Sequence, residues 1–308
     1  MNKCPITYED CGDAKYSQEG LKLLSKNLRH LNDFPYSSKE QIQLAAEMMD
    51  KLSIQGVQPK LSVKLNVKKE IFEIVQKNGT FIFKPPHQYY DELPQNEDLT
   101  MKLAEVVGIP VPLHGMVYNK DGSLSYFIKR FDRLSNDHKI SSEDFSQLLE
   151  SSRDTKYDPS MEKIIPALDK HCSFPKIEKL KLFRLVLFNF LVGNEDAHSK
   201  NFSLVRRKGR VELSPAYDLV NSTILYDKPR EEIALHLNGK KSNLKRSDLI
   251  NYFGRERLGL SEKIINNELQ NFEKHLLQWQ ELIERSFLSA KFRNKYLELI
   301  HSRWNRLK

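Results

Sequence analysis

The sequence predicts an α+β protein of two lobes, with a small β-rich lobe over residues 1–130 and a larger, mainly helical lobe over residues 131–308. Between Leu52 and Pro86 the apolar residues alternate with a period of two, which is typical of strands. After Arg133 they recur every three or four positions, which is typical of amphipathic helices. A chain of 308 residues is also long enough to form two such lobes.

The β-rich lobe is predicted to begin with two helices, followed by five strands and a helix between the third and fourth strands. The turn residues KNGT at 77–80 predict that the second and third strands form a hairpin. Gly108 and Pro110 stop the helix that follows the third strand. In chain order we expect helices at 20–31 and 39–52, strands at 60–67, 70–76 and 80–84, a helix at 96–109, and strands at 112–118 and 124–131.

The second lobe is predicted to be helical except for one hairpin. Its most apolar stretch, LFRLVLFNFLV at 182–192, indicates a buried helix. A polar loop follows, and the residues Lys208 and Gly209 then predict the two-residue turn of a hairpin. The expected helices are at 143–151, 160–171, 177–192 and over much of 261–306.

The composition is typical of a globular protein, with 39% hydrophobic and 29% charged residues. The longest apolar runs are too short to span a bilayer, and the N-terminus lacks the apolar core of a signal peptide. The three cysteines cannot all pair, which favours a reduced, cytoplasmic protein. The net charge of +8 is spread among 49 basic and 41 acidic residues, so we expect an acidic ligand such as a nucleotide rather than direct nucleic-acid or membrane binding.

The polar loop after the apolar helix, GNEDAHSKN at 193–201, carries the residue types of a phosphoryl-transfer site. Asp196 is a candidate base for the attacking hydroxyl, and Asn201 follows it by five positions. Beyond the hairpin lies Asp218, and the oxygens of Asn201 and Asp218 are candidate Mg²⁺ ligands. Between the first two, Lys200 is placed to neutralise charge on the transferred phosphoryl group.

Two other interpretations of this loop remain open. The run DAHSKN is also what a polar loop at a helix end contains, and Asp218 is a suitable helix N-cap. Alternatively, Asp196, His198 and Asp218 are ligands of a hydrolytic metal site, although the sequence lacks a second histidine-rich cluster. In the phosphoryl-transfer interpretation, His198 is a further catalytic candidate.

A nucleotide site also needs a strand lysine that faces the phosphates, and Lys84 in TFIFKPP is the candidate. Alternation puts it on the same face as Ile82, which can lie against an adenine ring. Glu97 on the following helix is placed to pair with Lys84, and Asp98 and Glu105 are competing partners. The alternative is an exposed lysine at a sheet edge.

Two further segments are candidates for nucleotide contacts. The loop SIQGVQPKLSV at 53–63 stands where a phosphate-covering loop is expected, although its single glycine also fits an ordinary turn. The segment YFIKRFDR at 126–133 joins the lobes and is predicted to be the hinge that meets the adenine edge, or to pack between the lobes. The candidate residues are Ser53, Gly56, Gln58 and Lys60 in the loop, and Ile128, Lys129 and Phe131 in the hinge.

Taken in order, these segments resemble the HipA-like serine/threonine kinases of bacterial toxin–antitoxin systems. The resemblance runs from about Leu52 to Ile250. It is carried by SIQGVQPKLSV, FIFKPP, the Asn96–Glu97 pair, GIPVP, RFDR, GNEDAHSKNFS, SPAYDL and LHLNGKKSNL.

The resemblance implies a two-lobed protein-kinase-like fold and a kinase that uses ATP and Mg²⁺. It implies Asp196 as catalytic base, Asn201 and Asp218 as metal ligands, and Lys84 held by Glu97 as the phosphate-binding lysine. Since the phosphate loop begins by Ser53, it further implies the short, HipT-type form, with autophosphorylation at that serine.

Implied partners are a HipS-like small protein, a helix-turn-helix antitoxin of the HipB type, and a tryptophanyl or glutamyl aminoacyl-tRNA synthetase as substrate. Two rival functions stay open from the residues. One is a small-molecule phosphotransferase on the same fold, and the other is a non-catalytic scaffold in a DNA-bound repressor complex.

Overall fold

A computed structural model describes residues 2–50, 58–133, 139–149, 160–226 and 231–308. The chain divides into two compact units, and helices and strands together confirm the predicted α+β class. Unit 1 comprises Met1–Asp98, Pro112–Lys139 and Arg285–Phe287, and unit 2 comprises Leu99–Val111, Ile140–Glu284 and Leu288–Lys308. No helix among these described residues is both long and apolar enough to cross a membrane.

Unit 1 is built on a five-stranded antiparallel sheet with the strand order β2-β1-β3-β5-β4. The division between the units falls within helix α3, whose first residues belong to unit 1. The elements are α1 (Gln18–Leu24), α2 (Ser38–Asp50), β1 (Leu61–Asn66), β2 (Ile71–Ile74), β3 (Phe81–Lys84), α3 (Leu93–Val106), β4 (His114–Tyr118) and β5 (Leu124–Lys129).

The predicted hairpin between the second and third strands is wrong. Strand β2 pairs with β1, while β3 pairs with the other side of β1, so KNGT carries the chain across β1 instead of reversing it. The chain passes so close to β1 at Gly79 that a Cβ there would lie 2.0 Å from the Ser62 hydroxyl oxygen, so this position needs glycine. The helix expected at 20–31 is also shorter and ends at Leu24.

Aromatic rings form the core of unit 1 on one face of the sheet. The ring centroids of Phe72 and Phe83 are 4.8 Å apart, and those of Phe72 and Phe81 are 5.3 Å apart. Phe127 on β5 packs beside them. Because side chains alternate along a strand, burying Phe81 and Phe83 turns Lys84 to the opposite face, as the sequence predicts.

Unit 2 contains a three-stranded antiparallel sheet with the order β6-β7-β8. The predicted hairpin is confirmed, since Lys208 and Gly209 form its turn with φ of 47° and 76°. The first predicted helix of this part, 143–151, is wrong over its first two residues, where the edge strand Ser142–Asp144 pairs with β7 before a short helix begins. The elements are β6 (Ser142–Asp144), α4 (Phe145–Leu148), α5 (Met161–His171), α6 (Pro175–Val192), β7 (Ser203–Arg207), β8 (Arg210–Leu213), a π-helix (Ser247–Arg257), α7 (Glu262–Glu284) and α8 (Ala290–Leu307).

Helix α6 is the centre of unit 2 and leads into the polar loop. Its apolar residues are buried on several sides, and it packs against α5 and α8. The helix ends at Gly193, whose φ is 75°. A Cβ at Gly193 would lie 2.5 Å from Leu299 Cδ2 and 2.7 Å from Thr223 Oγ1, so only glycine fits this position.

The π-helix was not predicted from the sequence, and buried Asp248 anchors its start. The carboxylate accepts hydrogen bonds of 2.9 Å from Lys240 Nζ, Asn238 Nδ2 and Lys245 N. Although burial opposes the effect, these bonds hold the pKa of Asp248 below its ordinary value. Asn238 and Lys240 of the segment LHLNGKKSNL therefore stabilise the fold of unit 2.

Candidate active site

Lys84 lies at the end of β3 and forms a buried ion pair with Glu97 on α3. Its Nζ is 2.6 Å from Glu97 Oε1, and the two residues are 5% and 3% exposed. The ammonium group also lies 5.7 Å from the centroid of the Tyr126 ring, the cross-strand neighbour of Lys84. Burying two charges is tolerated only when they are paired, so this arrangement fixes the position of the ammonium group.

Of the three acids that were candidate partners, Glu97 is in direct contact with Lys84. The neighbouring Asp98 instead accepts a hydrogen bond, since its Oδ1 lies 2.7 Å from His114 Nδ1 on β4. Successive residues on a helix point about 100° apart, so Glu97 and Asp98 meet different neighbours. Glu105 is exposed, two turns further along.

The other predicted nucleotide contacts of unit 1 are distributed differently. Ile82 and Ile128 are cross-strand neighbours, and alternation places both on the sheet face that carries Lys84. Tyr126 shares that face and was missed, although it lies two residues before Ile128. Lys60 and Lys129 are exposed, Gln58 and Phe131 are half-buried, and Ser53 and Gly56 lie outside the described residues.

In unit 2 the polar loop folds back on itself between Asp196 and Asn201. The Asp196 carbonyl oxygen accepts bonds from His198 N at 2.7 Å and from Asn201 Nδ2 at 3.2 Å. A carbonyl oxygen cannot donate, so the side-chain atom of Asn201 that faces the Asp196 carbonyl oxygen must be the amide nitrogen. The Oδ1 atom of the same amide is therefore the one that can ligate a cation, because hard cations such as Mg²⁺ bind oxygen.

One end of this loop is tied to the segment that follows Asp218. The Gly193 carbonyl oxygen accepts bonds of 3.1 Å from both the backbone N and the hydroxyl of Thr223. Glu195 N donates to the Ser222 hydroxyl at 2.8 Å, and Glu195 Oε1 lies 2.5 Å from Thr223 Oγ1. Burial raises the pKa of the Glu195 carboxyl above its ordinary value.

The other end of the loop is tied to Tyr217, the residue before Asp218. The Tyr217 hydroxyl donates to the Lys200 carbonyl oxygen at 2.7 Å and lies 2.5 Å from the Ser203 hydroxyl. Burial, opposed by the Ser203 hydroxyl and reinforced by the charge of Asp218, raises the pKa of Tyr217 well above its ordinary value. The segments 193–203 and 217–223 are thus joined at both ends, and Asp196, Asn201 and Asp218 lie between the joins.

The donor set of these segments suits magnesium. An amide oxygen from Asn201 and a carboxylate from Asp218 are hard oxygen ligands, and Mg²⁺ commonly takes one or two such protein ligands and completes its shell with phosphate and water. Among the described residues, no group of three or more His, Cys, Asp or Glu side chains is placed to hold a metal ion. The ligand set Asp196, His198 and Asp218 of the hydrolytic alternative is therefore not assembled, and His198 is buried.

Residues 52–279 match the family described as HipA-like C-terminal domain. The chain belongs to this family. A protein from Haemophilus influenzae named a putative kinase is 28% identical over 300 residues, which cover 88% of this chain and 85% of that protein. The serine/threonine-protein kinase toxin HipA of Shewanella oneidensis is 30% identical over 209 residues, which cover 61% of this chain and 47% of the toxin.

A solved structure of Shewanella oneidensis HipA with HipB and its operator DNA shares the fold. It matches with a TM-score of 0.70 at 24% identity, over 91% of this chain and 72% of that chain. The predicted HipA-like kinase fold is therefore confirmed. The chain spans about half the length of the Shewanella toxin in the sequence match.

Proposed function

We propose that this HipA-like chain is an ATP-dependent serine/threonine protein kinase that resembles the toxin of a HipBST-type system. The observation that carries the proposal is the buried Lys84–Glu97 pair, at 2.6 Å. A fixed ammonium group on a sheet face with Ile82 and Ile128 is what binding of nucleotide phosphates beside an adenine ring requires. An ion pair that served stability alone would gain little from burial, because desolvation offsets the attraction.

The residues of unit 2 supply the chemical step in this proposal. Asp196 orients the substrate hydroxyl and takes its proton, and Lys200 neutralises charge on the phosphoryl group. Asn201 and Asp218 hold Mg²⁺, which when bound shields the charge of the nucleotide phosphates. His198 is a further catalytic candidate, although its burial favours a role in shaping the loop.

The proposal is tested with purified protein, labelled ATP and Mg²⁺. Asp196→Asn should bind nucleotide but lose transfer by roughly a hundredfold or more, because the base is removed. Lys84→Met should weaken nucleotide binding. The matched controls are Asp169→Asn in unit 2 and Lys22→Met in unit 1, which alter exposed residues, and Lys22 lies on helix α1.

Unchanged transfer by Asp196→Asn would refute the assigned chemistry. Absence of ATP binding in the unaltered protein would favour the scaffold alternative. Transfer only to a small molecule would favour the phosphotransferase alternative.

The proposed substrate is an aminoacyl-tRNA synthetase. This proposal is supported by the resemblance to HipA-type toxins, and by membership of their family. Purified tryptophanyl and glutamyl enzymes should each be offered as acceptors, with heat-denatured enzyme as a control for folded-state recognition. Label on neither enzyme, with a different protein labelled in a cell extract, would contradict it. A HipS-like protein and a HipB-like antitoxin are the proposed partners, and each should lower transfer when added.

We also propose autophosphorylation of Ser53, which lies outside the described residues. A phosphate there adds about two negative charges beside the nucleotide phosphates. Repulsion between the two should weaken ATP binding, and Lys60, seven residues further along the chain, is a candidate partner for the new charge. Phosphopeptide mass spectrometry before and after incubation with ATP checks the site. Equal ATP affinity of the phosphorylated protein and of Ser53→Ala would contradict the mechanism.

A further inference from the structure

The Tyr217 hydroxyl bonds to residues on both sides of Asn201. It lies 2.7 Å from the carbonyl oxygen of Lys200 and 2.5 Å from the hydroxyl of Ser203. A phenol carries one proton, and the Lys200 carbonyl can only accept, so the phenol donates there. The Ser203 hydroxyl must then donate to the phenol oxygen. The two hydrogen bonds therefore run in one direction, from the Ser203 hydroxyl to the Tyr217 hydroxyl and from the Tyr217 hydroxyl to the Lys200 carbonyl oxygen.

These hydrogen bonds matter because the residues that make them lie close in the sequence to both proposed metal ligands, Asn201 and Asp218. The Lys200 carbonyl belongs to the peptide group that leads into Asn201, and Ser203 is the first residue of β7, two positions beyond. Tyr217 itself is joined directly to Asp218. Through its phenol, the residue before Asp218 is therefore bonded to the backbone just before Asn201 and to the Ser203 side chain just after it.

The backbone of Asp218 indicates that this segment is constrained. Its φ of 54° lies in the left-handed region, which aspartate adopts more readily than most residues but less readily than glycine. Such a conformation persists only where the surrounding structure enforces it. The Tyr217 bonds lie directly before Asp218 in the chain, and those of Ser222 and Thr223 to the start of the loop lie four and five residues after it.

We infer that Tyr217 is a positioning residue that sets the spacing between Asn201 and Asp218, so that both reach one Mg²⁺ ion. The inference rests on the proposed function, since it concerns the metal that the kinase would use. Tyr217 touches neither substrate nor metal in this account. Replacing Tyr217 by phenylalanine keeps the ring and removes the hydroxyl that makes these two hydrogen bonds.

The test measures Mg²⁺ dependence of nucleotide binding rather than activity alone. Binding of a fluorescent ADP analogue is titrated with Mg²⁺ and, separately, measured in EDTA. Tyr217→Phe should raise the Mg²⁺ concentration for half-maximal binding roughly tenfold or more, the usual effect of removing a group that orients metal ligands. Binding in EDTA should stay unchanged, because Lys84 and the sheet face remain intact.

The matched control is Tyr296→Phe in the same unit. The Tyr296 hydroxyl is fully buried and lies 2.9 Å from the Thr100 hydroxyl, so this change removes a comparable bond away from the polar loop. It should lower stability to a similar extent and leave the Mg²⁺ requirement unchanged. Ser203→Ala removes the hydroxyl that donates to Tyr217 and keeps the bond from Tyr217 to the Lys200 carbonyl oxygen. It should shift the Mg²⁺ requirement in the same direction by a smaller factor. It also serves if Tyr217→Phe fails to fold.

The outcomes separate the inference from the proposed function. If Tyr217→Phe and Ser203→Ala shift the Mg²⁺ requirement no more than Tyr296→Phe does, the inference is overturned and the kinase proposal stands. If the unaltered protein binds nucleotide with no dependence on Mg²⁺, both the inference and the assigned metal ligands are overturned. A selective shift, abolished in an Asp218→Asn background, supports the inference.

Discussion

Replacement of Glu97 by leucine is the sharpest test of how unit 1 is held together. The change leaves the Lys84 ammonium group buried without its carboxylate, while leucine retains most of the side-chain volume. The two side chains are 7% and 3% exposed, so water cannot readily take the place of the lost partner. The destabilisation therefore comes from a buried ammonium group that has lost this carboxylate.

The magnitude follows from the geometry of the pair. At 2.6 Å, and with an effective dielectric constant of about 20, the gross attraction is about 6 kcal/mol. The cost of removing both charges from water offsets much of this attraction, so the intact pair contributes little net stability. Removing Glu97 abolishes the attraction but leaves the cost of keeping the Lys84 charge away from water. We therefore expect a loss of about 3–5 kcal/mol in the free energy of unfolding. The double variant Lys84→Met with Glu97→Leu should recover most of that loss.

Urea unfolding followed by far-UV circular dichroism measures these changes. Hydrogen exchange of the β3 amides should rise in Glu97→Leu and return towards the original rate in the double variant. The control is Asp33→Asn, which breaks the exposed Lys15–Asp33 pair of unit 1 at the same distance of 2.6 Å. It should cost at most about 1 kcal/mol. Equal losses for Glu97→Leu and Asp33→Asn, or a double variant no more stable than the single one, would refute the reasoning.

Three further changes test unit 2, where both tryptophans lie and report unfolding by fluorescence. Gly193→Ala should cost roughly 2–4 kcal/mol, because it combines a left-handed backbone with severe overlap, whereas Gly209→Ala, with open space around it, should cost about 1 kcal/mol. The pKa of Asp248 is lowered in the folded state, so its contribution to stability is present above about pH 4 and is lost as the pH falls further. The melting temperature of Asp248→Asn should therefore fall less on acidification than that of the unaltered protein. Arg184→Met should cost about 3 kcal/mol in urea unfolding, since it leaves buried Glu268 without the guanidinium that now donates to both of its oxygens, and a loss below about 1 kcal/mol would contradict this account.

Local features of the chain were predictable from sequence because they depend on near neighbours. Alternation in TFIFK separates Phe81 and Phe83 from Lys84, whatever the sheet around them. Gly193 ends the apolar helix because a left-handed residue is needed there. The interval between Asp196 and Asn201 likewise brings the amide back to the Asp196 carbonyl within one short loop.

Contacts between distant segments were less accessible. The turn residues at 77–80 favour a hairpin, but the pairing of β2 with β1 placed β3 on the far side of β1. The edge strand Ser142–Asp144 exists because β7 offers it unpaired backbone groups, which its own sequence does not reveal. Tyr217 gave no signal, since its partners are 14 and 17 residues away.

The sequence by itself determined the α+β class, the faces of the strands, the end of the apolar helix at Val192 and the residue types of the candidate site. Only the tertiary structure decided the strand order, the choice of Glu97 over Asp98 as the partner of Lys84, and the bonds that tie the polar loop to Asp218. The physical reason is range. Alternation, helix caps and tight turns act over a few residues, whereas strand order and partner choice depend on which surfaces meet when distant parts of the chain pack together.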